Sequence, residues 1–182
     1  LRRQRQMCIR DRYIKHLNKM ANGVEFDLQK VANKVFETVA MAKVSTSGQE
    51  AVSHNFLGDK DGISVNGDHL LYDAKQKALA LYEAGYKAPI RKKIPVVGET
   101  GYATLALGAE AMHLSGYISE YDLHIAKKLA YVIAGGKVPY GTEVDEQYLL
   151  DVEREAFISL VSEMKSQARM QHMLVKGKPL RN

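Results

Sequence analysis

Seven stretches of this chain carry apolar residues at helical spacing, each bounded by a capping residue or a glycine, and only one short stretch alternates in the way a strand requires. Such a pattern restricts the fold to packed helices with little sheet. From Phe26 onward, Leu28, Val31, Val35 and Val39 recur every three to four positions, which predicts a helix over 27–42 with Asp27 as N-cap. A short helix over 47–53 follows the serine- and threonine-rich turn before Gly48. Ile63, Ser64 and Val65 alternate and permit one short strand. Asp68 can cap the next helix, whose seam of Leu71, Ala74, Ala78 and Leu81 runs out near Gly85.

Residues 89–98 combine Pro89 and Pro95 with Arg91, Lys92 and Lys93, so they read as a solvated connector unsuited to helix or central strand. Four further helical patterns occupy the remainder. The first, 99–114, is rich in Ala, Leu and Met and is ended by Ser115 and Gly116. The second opens on Ser119 with Asp122 three residues on, presents Leu123, Ala126, Ala130 and Ile133 on one face, and stops at Gly135 and Gly136. The third is the acid-rich stretch 145–163, begun by residues 142–145, with Leu149, Val152, Ala156 and Leu160 inward. Ser166 then caps a last short helix closed by Gly177 and Pro179. The fold class is therefore mainly α with at most one or two short strands. Several seams are narrow and there is little sheet to cover them, which implies a thin core and a partner surface.

The 182 residues and 46% hydrophobic content suffice for one sizeable core. The formal charge of +5 suggests nucleic acid until it is located: five arginines against Asp11 place +4 of it in residues 1–12, leaving a near-neutral remainder without the electrostatic footprint of nucleic-acid binding. Gln6 to Arg12 resemble a translation of the transposon-end adapter used in sequencing libraries, so residues 1–12 are expected to be adapter-derived or disordered. Cys8, the single cysteine, falls there, which excludes an internal disulfide. No apolar run approaches the ~18 residues of a membrane span and no signal-peptide core is present, so a cytoplasmic location is expected.

Strong catalytic or metal motifs are missing. His16, His54, His69, His113, His124 and His172 are dispersed, with no zinc-ligand spacing. Gly98 and Gly101 read as a turn, and Gly135–Gly136 as a helix stop, because neither pair has the spacing of a phosphate loop. Glu143, Asp145, Glu146, Asp151, Glu153 and Glu155 fall between apolar positions and read as a solvated helix face. His172, beside Arg169 and Lys176, reads as a surface histidine. In the basic tail, the helix dipole accounts for Lys176 but not for Lys178 and Arg181.

Residues 36–51, 68–75, 98–102, 129–137 and 166–182 together resemble a bacterial fatty-acid β-oxidation protein in which a 3-hydroxyacyl-CoA dehydrogenase is joined to a C-terminal crotonase-type enoyl-CoA hydratase/isomerase domain. The resemblance covers residues 13–182 in order. It implies a division into 1–12, a helical end of a crotonase-like α/β core over 13–88, a linker over 89–98 and a C-terminal helical region over 99–182. Residues 41–51 with His54 to Leu57 would then be a helix and turn leading to a core element.

The family's oxyanion loops, hydratase glutamates and nicotinamide-binding glycine loop match no position here, so no catalytic residue is assigned and no cofactor is expected in this chain. NAD is implied only for a longer parent. The resemblance places Lys176 and Lys178 near the CoA nucleotide of an acyl-CoA substrate. It also implies homo-oligomeric contacts and contacts with the rest of the parent polypeptide, with neither nucleic acid nor a membrane span involved. The rival reading is a free-standing, non-catalytic helical interaction module.

Overall fold

The structure, a computed structural model, describes residues 27–58, 61–87 and 93–182. The adapter-like stretch, Cys8, His16, Pro89, Arg91 and Lys92 lie outside them. Among the described residues there are seven α-helices and two short strands, which bears out the mainly α class. They are α1 Leu28–Ala40, α2 Gly48–Ser53, α3 Leu70–Glu83, β1 Ile94–Pro95, α4 Gly98–Leu114, α5 Glu120–Ala134, β2 Glu143–Val144, α6 Glu146–Val161 and α7 Met164–Lys176. The described residues fall into two compact units, one of those between 45 and 91 and the other of the rest.

In the larger unit the core joins α1 (Leu28, Val31, Val35), α4 (Leu105), α5 (Ala130, Ile133, Ala134) and α6 (Leu149) around the β1 segment. Asp27 caps α1 as its sequence predicts, accepting from the backbone N–H groups of Gln29 and Lys30. The short connection 115–119 makes α4 and α5 adjacent, and Ala106, Ala109, Ala126 and Ala130, all buried, let helix backbones approach closely. Ser119 and Asp122 form the expected capping box, each side chain accepting from the other's backbone N–H at 3.1 Å. Gly135, at φ +81°, ends α5 in the left-handed region, and a Cβ there would lie 2.7 Å from Val96 Cγ2.

Residues 94–98 differ from the expected connector. Ile94 and Pro95 pair antiparallel with Val144 and Glu143, and Ile94, Val96 and Val97 are all at most 4% exposed. A short apolar run following a charged one is pulled into the core because β2 supplies its hydrogen-bond partners, and the Val96 N–H and C=O are further satisfied by Thr142 and Gly141. Gly98 and Gly101 open α4 instead of forming a free turn. The chain is pressed so close to Val138 there that a Cβ on Gly98 would sit 2.1 Å from its carbonyl oxygen.

The other starts shift in similar ways. Asp145 alone caps α6, through the Tyr148 N–H at 2.7 Å, because Glu143 and Val144 are taken up by β2. α7 begins two residues before Ser166, whose hydroxyl bonds a tyrosine instead of capping; Gly177 ends α7 as expected.

In the smaller unit, Ser47 caps α2 by accepting from the Glu50 N–H. Ile63 packs where a Cβ on Gly48 would stand, 2.7 Å away, and Ala51 and Phe56 are buried. Residues 63–65 form no strand, since alternation over three residues gives no ladder without a neighbouring edge. Asn66, not Asp68, caps the 3₁₀ turn Gly67–His69 that leads into α3. The predicted seam of α3 exists but is uncovered: no residue of the helix is buried, and Leu71 is 82% exposed.

Candidate functional site

Three features of the larger unit converge on α5: a charged lock at its N-terminus, an apolar cleft along its flank and a cationic hollow beside its C-terminal half.

The lock is built around Asp122. Its Oδ1 accepts from Arg169 at 2.6 Å and its Oδ2 from Arg181 at 3.0 Å, while the Ser119 N–H reaches Oδ2 at 3.1 Å. Burial opposes ionisation of this carboxyl. The hydrogen bonds from Arg169, the Ser119 backbone and Arg181 outweigh that penalty and hold its pKa far below the usual carboxylate range. Arg169 also donates from Nε to Asn182 Oδ1 at 2.7 Å and lies 5.0 Å from the centre of the Tyr121 ring. Tyr121 is buried, stacks on His124 and bonds Ser166 Oγ at 2.7 Å. His124 Nε2 and Glu163 Oε1 are 2.9 Å apart, and the hydrogen bonds from His124 and then Tyr121 lower the Glu163 pKa.

These groups fasten α7 and the chain end onto α5. They do not form a nucleophile with a base, because Ser166 bonds Tyr121 and not His124. Among the described residues no cluster of three or more His, Cys, Asp or Glu side chains could hold a metal ion.

The cleft has a volume of about 480 Å³ and is lined mainly by apolar side chains of α1, α4, α5, α6 and α7, among them Phe36, Met112, Leu129, Phe157 and Met173. Phe157 and Met173 stay 62% and 47% exposed, so much of the apolar lining faces outward. The hollow, about 290 Å³, is lined by Tyr102, His124, Lys127, Lys128, Tyr131, Lys137 and Glu155. Lys128 lines both spaces.

Sequence-derived candidates are distributed around these features without assembling into one. Lys176, the last residue of α7, and Lys178 are both exposed and line neither space. His172 Nδ1 lies 2.9 Å from the Lys178 carbonyl oxygen, which fixes the turn between them. Arg181, unexplained by a helix dipole, is accounted for by Asp122. Of the acidic residues around α6, Asp145 serves as cap and Asp151 as partner of Arg154 at 3.0 Å, while Glu153 lines the cleft and Glu155 the hollow. Periodicity missed the cationic hollow because Lys137 lies beyond the glycine stop, although the adjacent Lys127 and Lys128 were a visible signal. His54 and Glu50 pair at 3.4 Å within the smaller unit.

No helix among the described residues is long and apolar enough to cross a membrane. No protein-family model matches the chain, and no solved structure matches it. It is 66% identical over 170 residues, 93% of its length, to a Bacillus subtilis (strain 168) protein named "Probable 3-hydroxyacyl-CoA dehydrogenase". The chain spans 21% of that protein's length.

Proposed function

We propose that this chain corresponds to the C-terminal helical part of a longer fatty-acid β-oxidation enzyme acting on acyl-CoA thioesters, with 3-hydroxyacyl-CoA dehydrogenase activity and a crotonase-type hydratase or isomerase activity residing elsewhere in the parent. The observation that carries this reading is the 66% identity over nearly the whole chain to a protein named as a probable 3-hydroxyacyl-CoA dehydrogenase. The parent's NAD would be held by a glycine loop of the type that matches no position in this sequence.

In this reading the helical part contributes contacts, not chemistry. The uncovered seam of α3 and the outward-facing side of the apolar cleft are surfaces for the remainder of the parent or for another subunit of a cytoplasmic homo-oligomer. Lys176 and Lys178, exposed and extending from the C-terminal end of α7, are the proposed contact with the CoA nucleotide at the rim of an active site.

The test is a steady-state comparison of the full-length parent with its Lys176→Ala/Lys178→Ala variant. The acyl-CoA KM should rise several-fold with kcat little changed, as expected when binding common to ground and transition states is removed. An unchanged KM rejects the tail contact while leaving the enzyme assignment intact.

A further inference from the structure

We propose that the hollow on α5 bounded by Lys127, Lys128, Lys137, Tyr102 and Tyr131 binds the phosphate or pyrophosphate group of a small ligand. The proposal concerns a site distinct from the tail lysines and does not rest on the acyl-CoA reading. Three lysines line one concave space together with the carboxylate residue Glu155. Lys127 is already paired with Glu110 at 2.7 Å and Lys128 lies within electrostatic reach of Glu163, although neither Lys128 nor Lys137 forms a direct ion pair among the described residues. Lysine is a compact, mobile point charge, and several of them in a walled hollow concentrate positive potential that an anion relieves. His124 is engaged by Glu163, so the lysines are the donors for an incoming anion.

The backbone assembles this set. Lys127 and Lys128 are consecutive on α5, and the left-handed pair Gly135 and Gly136, at φ +81° and +78°, reverses the chain so that Lys137 lines the same space. A Cβ on Gly136 would stand 3.3 Å from the Tyr131 hydroxyl, so the turn is seated against that ring. Tyr131 in turn meets Tyr102 edge-on with centroids 6.4 Å apart, which gives the hollow an aromatic wall.

Size narrows the ligand. At about 290 Å³ the hollow lies at the lower edge of the ~300–1,000 Å³ of small-molecule pockets, a size that suits a charged head group. Lys128 also walls the apolar cleft, so a head group seated here would have apolar surface beside it. A phosphate of this kind could belong to a soluble ligand or to a lipid, and the two sources separate experimentally.

Inorganic pyrophosphate titrated into the 182-residue chain in a calorimeter should bind saturably, and added salt should weaken it. Lys128→Gln/Lys137→Gln should reduce affinity about tenfold or more, while Lys75→Gln/Lys77→Gln, on the exposed helix α3 and outside the hollow, should leave it unchanged. Unchanged circular dichroism would show that the variants fold. In a second arm, vesicles containing phosphatidic acid are sedimented with the chain; retention released by pyrophosphate and lost in Lys128→Gln/Lys137→Gln would identify the same hollow reading a lipid phosphate. The proposal is overturned by the lack of saturable pyrophosphate binding, or by binding that survives loss of Lys128 and Lys137.

Discussion

Asp122 accepts hydrogen bonds from two arginines on one carboxylate, and its side chain is only 12% exposed. Deleting it would leave Arg169, itself 18% exposed, with part of its charge uncompensated. We therefore expect Asp122→Ala to destabilise the fold by about 2–3 kcal/mol in urea denaturation, against less than about 0.5 kcal/mol for Asp151→Ala, whose partner Arg154 is largely solvated. The same residue sets an acid dependence. Its folded pKa is depressed, so the unfolded chain takes up the proton first as pH falls. The contribution is complete well above the ordinary value of 3.8 and is lost progressively below it, and denaturation midpoints of Asp122→Asn should lose that part of the acid slope. None of this was legible locally. The capping role of Asp122 could be read from Ser119 three residues before it, but Arg169 and Arg181 lie 47 and 59 positions away, beyond any helical period.

At the scale of elements, helices were legible where a cap or breaker agreed with the apolar period, as at Asp27, Ser119, Gly135 and Gly177. Starts without that agreement moved: Ser166 lies inside α7 because tertiary contact with Tyr121 holds its hydroxyl, and α3 follows a turn capped by Asn66. β1 was hidden because two residues carry no periodicity of their own and become a strand only by pairing with Val144 and Glu143. Conversely, 63–65 had the alternation without the partner. The close packing that β1 imposes is testable at Gly135. Gly135→Ala adds a left-handed alanine and a contact with Val96, so a loss of about 2 kcal/mol or more in thermal or urea unfolding is expected. Ser119→Ala, which removes the cap and a long 3.4 Å bond from the hydroxyl to the Asn182 carbonyl oxygen, should cost about 1 kcal/mol.

Among its described residues the molecule has four α-helices with side-chain N-caps, a charged lock and apolar surface left uncovered, with no assembled nucleophile, base or metal cluster. Its mainly α class was legible because nearly all of its apolar spacing is helical. The grouping of the basic residues was not, since it depends on how the chain turns after α5. We expect the purified chain neither to hydrate crotonyl-CoA nor to reduce NAD with a 3-hydroxyacyl-CoA, as read by thioester and nicotinamide absorbance, because the oxyanion and dinucleotide loops that those reactions need match nothing in the sequence. The most direct test of the central claim is to sequence the source genomic DNA immediately upstream of the Tyr13 codon from a primer inside the gene, without transposon adapters. An open frame continuing into coding sequence for a dinucleotide-binding glycine loop is predicted; a stop codon followed by a start codon just before Tyr13 would contradict the assignment to a longer enzyme.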